Sequence, residues 1–266
     1  MLAVEARGRV RIITLERPAA RNAVDPPLAR ALYRAMLDFD ADEGFDVAVL
    51  TGAGGTFCAG FDLKAAAQGD GAEWIAGLDI APGWDDPMAE PLPSPMGPAR
   101  LMLRKPVIAA IEGHAVAGGL ELALWCDLRV LGEGAVLGVF CRRWGVPLID
   151  GGTVRLPMVV GQGRANDLIL SGRPVAAEEA LRIGLADRLV ARGAALGAAL
   201  ELAESLTRFP QGCMRADHLS GRLAPGELAA RLRREWASAG MVLSEGVAGA
   251  ARFAAGRGRG GDFSDL

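Results

Sequence analysis

The stretch HAVAGGLELALWCD, His114 to Asp127, places one carboxylate, Glu121, in an apolar run directly behind two glycines. A charge taken out of water is costly unless it is paired or kept neutral. Glu121 therefore either points out of a half-buried helix or sits in a pocket, where a carboxyl deprived of water can hold and move a proton. Two glycine-bearing turns, LTGAGGTFCAGFDL (50–63) and EGHAVAGGLEL (112–122), each follow a strand pattern and precede a helix pattern. Free backbone N–H groups at a positive helix end suit an anion or a developing oxyanion. The same glycines equally serve tight turns or close packing. GAGG is no phosphate-binding loop, since no GK[ST] follows and the dinucleotide spacing is missing.

Other chemistries find little support. Cys58, Cys126, Cys141 and Cys213 are widely spaced with no CxxC pair, which points to reduced thiols in a cytoplasmic protein. Only His114 and His218 are available, too few for a histidine-rich metal centre, so no structural metal is expected. A net charge of −3 gives no reason to expect nucleic acid. The run PVIAAIEGHAVAGGLELALW is broken by Glu112, His114, glycines and Glu121, and is no membrane span. MLAVEARGRVRIITLERP lacks the pattern of a signal peptide.

The elements that must position these residues are legible in outline. VRIITLERP is a β-branched strand ended by Pro18. Asp25 with Pro26 opens a helix whose apolar stripe is Leu28, Leu32, Met36 and Phe39. DVAVLTG, KPVIAAIEG, DLRVLG and ADRLV are further strands; DLKAAAQ, GGLELALWC, 153–160, 164–170 and VAAEEALRIG are helices. Alternation of this kind up to about residue 192 means an α/β architecture. The proline-rich span 82–98 is expected to run irregularly over the surface. Beyond it all, 196–266 turns helical, with stripes Leu196–Leu200–Ala203–Leu206 and Leu228–Leu232–Trp236 and an expected Glu227–Arg231 pair. This tail has few partners within itself and must pack on the main domain or on another subunit. The residues from AAGRGRGGDFSDL onward are expected to fray.

LERPAARNAVD, VLTGAGGTFCAGFDL, KPVIAAIEGHAVAGGLELALWCDLRV and GLADRLV, in this order and at these separations, resemble the enoyl-CoA hydratase/isomerase (crotonase) superfamily over nearly the whole chain. The resemblance implies a crotonase-like spiral of ββα units over 1–195, followed by a helical trimerisation region over 196–266, with trimers or dimers of trimers as the assembly. It implies an acyl-CoA or enoyl-CoA thioester as substrate, with coenzyme A entering only as part of that substrate and no further cofactor.

By the same resemblance, the N–H groups of Phe61 and Gly118 would form an oxyanion hole, and Glu121 would be one of two catalytic carboxylates. The position of the second falls on Cys141, a poorer proton donor at neutral pH. Asp150 is the nearest replacement, or else a cap for the helix that opens at Gly151–Gly152. Cys141 as a nucleophile would need a base, and only His114 lies near. Arg142 and Arg143 either bind a carboxylate on the acyl group or are a solvated pair. Ala20, Arg21 and Ala23, with Ala59, Asp62, Leu63 and Lys64, would cradle the coenzyme A. The implied reaction is reversible hydration of a 2-enoyl-CoA, with double-bond isomerisation and non-catalytic acyl-CoA binding as its rivals.

Overall fold

In the computed structural model, which describes residues 1–67 and 70–257, the strands form two sheets. The larger has six strands, β1 (Leu2–Arg7), β2 (Val10–Leu15), β3 (Val47–Gly52), β4 (Val107–Ile111), β6 (Leu128–Gly132) and β9 (Arg188–Val190), adjacent in that order. β1 and β2 form an antiparallel hairpin, and every later pair in this sheet is parallel. The smaller sheet joins β5 (His114–Val116), β7 (Val136–Gly138) and β8 (Val175–Ala176). β1 adds to the strands expected from sequence; as an edge strand with four exposed residues it carries little apolar signal.

Parallel strands covered on both faces read as continuous apolar runs, and β3 and β4 follow that rule. Ala48, Leu50, Val107, Ala109 and Ile111 face one core, which they share with α1 (Pro26–Ala41) and α4 (Gly118–Trp125). Val47, Val49, Ile108 and Ala110 face the other, which is closed by Ala199, Leu200, Leu202 and Ala203 of α8 (Ala195–Leu206). The tail thus packs on the main sheet through its first helix. α9 (Gln211–Ser220) is pinned to the sheet ends by Arg215–Asp46 at 2.8 Å and His218–Asp127 at 2.7 Å. Gly197 lies inside α8 with open space where a Cβ would go. Gly197→Ala is expected to raise unfolding free energy by about 0.5–1 kcal/mol, read from urea denaturation at fixed protein concentration.

Four further helices complete the chain around the site: α2 (Leu63–Ala67), α5 (Gly152–Val160), α10 (Pro225–Trp236) and α11 (Val247–Ala254). α11 packs beside α2. In α10 the Glu227 carboxylate accepts from the Ala224 N–H at 3.1 Å, closing the helix start in place of the expected pair with Arg231. Gln68 and residues 258–266, on which the end of one expected helix and most of the expected fraying fall, lie outside the described residues.

The proline-rich span departs from its expected surface course. Ser94 to Arg100 are all buried. Buried irregular backbone must find partners, and here Ser94 and Gly97 pair locally while side chains bind the stretch and its surroundings. The Tyr33 hydroxyl donates to Pro91 O at 2.8 Å, the Arg100 guanidinium donates to Leu78 O and Pro93 O at 2.7 and 3.0 Å, and Met96 N–H donates to Asp150 at 2.9 Å.

Candidate active site

Two turns, one after β3 and one after β4, are stitched side by side. Phe57 N–H donates to Glu112 O, Cys58 N–H to His114 O, and Val116 N–H to Cys58 O, at 2.8, 2.8 and 3.1 Å. On the far side, Ala59 N–H donates to Arg21 O, Val24 N–H to Gly60 O, and Asp62 N–H to Val24 O. Asn22, fully buried, fixes this second loop. Its amide donates to Ala53 O and Thr56 O and accepts from Arg17 N–H. The 20–24 loop is thereby tied to the 59–62 segment through Arg21 and Val24. Asp62 caps α2 by accepting from Lys64 N–H at 3.0 Å and is paired with Arg17 at 2.9 Å. Its carboxylate is therefore engaged within the protein, and Arg21 and Lys64 are the exposed cations of the coenzyme A set.

The stitching places Phe61 and Gly118 together. Gly60 holds a φ of +96°, and a Cβ there would stand 3.0 Å from Gly118 N. Ala117, with φ 53° and ψ −126°, is in a sparsely populated backbone region, and strain of this kind persists only where surrounding structure enforces it. It turns the chain so that α4 starts at Gly118. Among the described residues, neither Phe61 N–H nor Gly118 N–H has an acceptor. The pair forms a donor site at a helix N-terminus, suited to an oxygen that gains negative charge. Met96 lies against Gly118, its sulfur 2.6 Å from where a Cβ would stand.

Every residue of α4 is buried, so Glu121 does not point to solvent; it is 3% exposed. One oxygen, Oε1, accepts from both Asp150 N–H and Gly152 N–H at 2.9 Å. Burial first, then the nearby Asp150 and Glu235 carboxylates, hold its pKa well above the ordinary carboxylate range, against the two backbone bonds. That environment suits a proton carrier working near neutral pH.

Asp150 does not cap α5. Its side chain turns the other way, accepting from Met96 N–H and, with Ser94, holding the buried loop in place. The helix is capped instead by Glu121 and by a residue that sequence reasoning passed over, Glu235. Glu235 accepts from Gly151 N–H at 2.6 Å, Thr153 N–H at 2.8 Å and the Thr153 hydroxyl at 2.7 Å. A signal for it existed: Glu235 lies seven residues after Leu228 and three after Leu232, on the apolar stripe of α10.

Cys141 is buried, and desolvation followed by the Glu121 charge pushes its thiol up to about 12. Such a thiol keeps its proton and is inert as a nucleophile. Cys141→Ala is expected to keep kcat/KM within about threefold of the parent, measured on crotonyl-CoA. Arg142 is exposed and Arg143 half-buried, and neither stands free of the protein. They donate to Ile169 O and Gly172 O at 3.1 Å, fastening their 3-10 turn to the end of α6 (Gln162–Ser171). His114 is half-buried, with its pKa lowered by burial and by Arg21. No group of three or more His, Cys, Asp or Glu side chains that could hold a metal ion occurs among the described residues. No helix among them is long and apolar enough to cross a membrane.

A wound α/β core that brings two N–H groups without acceptors near a buried carboxyl is the arrangement that the crotonase resemblance implies. The family model for enoyl-CoA hydratase/isomerase matches residues 5–93 and 98–219, and the chain belongs to that family. It is 39% identical over 204 residues to enoyl-CoA hydratase EchA19 of Mycobacterium tuberculosis, covering 77% of this chain and 73% of the relative. It is 38% identical over 208 residues to a carnitinyl-CoA dehydratase of Salmonella arizonae, covering 78% and 74%. The solved structure of a carnitinyl-CoA hydratase from Mycobacterium avium superposes with a TM-score of 0.80 at 32% identity, covering 96% of both chains.

Proposed function

We propose that this protein catalyses the reversible addition of water across a 2-enoyl-CoA thioester. The observation that carries the reading is a buried Glu121 in the first turn of the helix whose first N–H, with that of Phe61, is free to bind an oxyanion. The thioester oxygen binds at Phe61 and Gly118. Glu121 takes a proton from water as the hydroxyl adds at C3, and returns a proton to C2 as the enolate collapses. The water's atoms are then all in the product, and the carboxylate is regenerated. The hydratase and dehydratase names of the relatives describe this one step in its two directions. Asp150 acts by holding Met96 and the buried loop, and Cys141 is a filler at the second carboxylate position. Coenzyme A is cradled by Ala20–Ala23 and Ala59–Lys64, no further cofactor takes part, and the assembly is a cytoplasmic trimer or dimer of trimers.

The test is to incubate the purified protein with crotonyl-CoA and a longer 2-enoyl-CoA and to follow loss of the conjugated-thioester absorbance. Loss is expected; no loss with the esters still bound would sink hydration. The second reading, double-bond isomerisation, is favoured by one observation: the thiol at Cys141 cannot share proton work with Glu121. Product analysis separates the two. Isotope from labelled water enters as a hydroxyl on hydration, but only as exchanged hydrogen on isomerisation.

A further inference from the structure

Four successive N–H groups open α5, and they alternate between two carboxylates. Asp150 and Gly152 donate to Glu121 of α4, while Gly151 and Thr153 donate to Glu235 of α10. Positive helix ends favour the charged form of a carboxylate, but the two share this end unequally. Glu235 spreads three bonds over both oxygens, one of them from a hydroxyl. Glu121 receives two, both on Oε1. We infer that Glu235 is a positioning residue: from the C-terminal helix it fixes the 150–153 turn that holds Glu121, and by carrying the negative charge itself it keeps Glu121 the stronger base. The inference rests on the reading of Glu121 as proton carrier.

The charged surroundings fit this division. Asp150 faces the pair from the turn and Arg155 from α5, where its guanidinium donates to Asp150 O and Ala99 O. Arg100 approaches from the buried loop, its guanidinium carbon 4.2 Å from the Trp236 ring centre, with Asp79 near it. Cys141 adds a neutral thiol beside Glu121. On its outer side Glu235 borders a cavity of about 600 Å³ lined also by Arg142, Arg231 and Arg234, and Arg155 favours its charged form against the burial that raises its pKa. The Glu235 charge in turn raises the proton affinity of Glu121, alongside burial and Asp150. Burial raises the pKa of both carboxyls, but the bonds from Thr153 and Gly151 and the Arg155 charge hold Glu235 down, whereas Glu121 is raised well above the ordinary range.

The experiment is the pH dependence of kcat/KM on crotonyl-CoA for the full chain, Glu235→Gln, Thr153→Val and Glu121→Gln. Glu235→Gln removes the charge and sets an amide N–H against a backbone N–H of the turn. It is expected to lower kcat at least about tenfold, to leave KM near the parent value, and to move the acid limb down by about one pH unit. Thr153→Val removes one donor from Glu235 and is expected to move the limb the same way by less, which keeps the test decisive if Glu235→Gln does not fold. An acid limb unmoved in every folded variant would overturn the inference, because a purely structural role lowers activity without moving a titration. If Glu121→Gln is inactive while the limb stays, the hydration reading survives and only this inference falls. A fully active Glu121→Gln removes both.

Discussion

Glu121→Gln is expected to lower turnover of a 2-enoyl-CoA by about 10²–10⁴-fold, the span supplied by a positioned general acid–base group. Binding of the thioester is expected to stay nearly intact, because Phe61, Gly118 and the coenzyme A cradle are untouched. The amide keeps an oxygen for Asp150 N–H and Gly152 N–H, so the fold survives the change. What it loses is the ability to accept water's proton. The measurement is kcat and KM by absorbance, with Kd for a saturated acyl-CoA by calorimetry; retained turnover would remove Glu121 from the chemistry. The parent's pH profile checks the same assignment. A base works when ionised, so kcat/KM should rise with pH through the Glu121 pKa. Because burial and two neighbouring carboxylates raise that pKa, the rise should lie above the ordinary carboxylate range. A limb at the usual carboxylate position would mean an exposed group is being titrated instead.

Glu121 was legible in the sequence because one charge in an apolar run is anomalous on its own, and the glycine pair before it marked a helix start. The motif order carried Phe61 and Gly118, though only the structure explains how residues on different loops meet, through the Cys58–His114–Val116 stitching. Partners at long sequence separation were not legible. Asp150 has its acceptor oxygen on Met96 N–H, 54 residues away, and nothing near Asp150 distinguishes that from a local cap. The burial of Ser94–Arg100 was hidden for the same reason: proline and serine usually mark surface loops, and the side chains that fasten this stretch and the residues before it include Tyr33 of α1 and Asp150 of the turn before α5. Glu235 was masked by its neighbours. In RLRREW it looks like one more charge on a solvated face, and only its phase on the Leu228–Leu232 stripe betrays it.

Gly119→Ala tests the stitching itself and should produce the other large effect. A Cβ at this position would lie 2.1 Å from Cys58 O and 2.8 Å from Cys58 C, and both are backbone atoms with nowhere to go. Cys58 O is also the acceptor of Val116 N–H, so relief must come by prising α4 away from the 57–61 segment. That movement separates the two oxyanion donors, since Gly118 is next to the substituted residue and Phe61 lies three beyond Cys58. Losing one such donor costs about 3–4 kcal/mol of transition-state stabilisation, so kcat/KM is expected to fall by about 10²–10³-fold. Overpacking on its own costs about 1–3 kcal/mol of fold stability. The two effects are separable by comparing the activity loss with the folded fraction from circular dichroism at the assay temperature. A loss in kcat, with the variant folded and thioester bound, is the expected outcome. Activity that merely tracks the folded fraction would mean that the donors hold their places without this contact, and that the glycine serves packing alone.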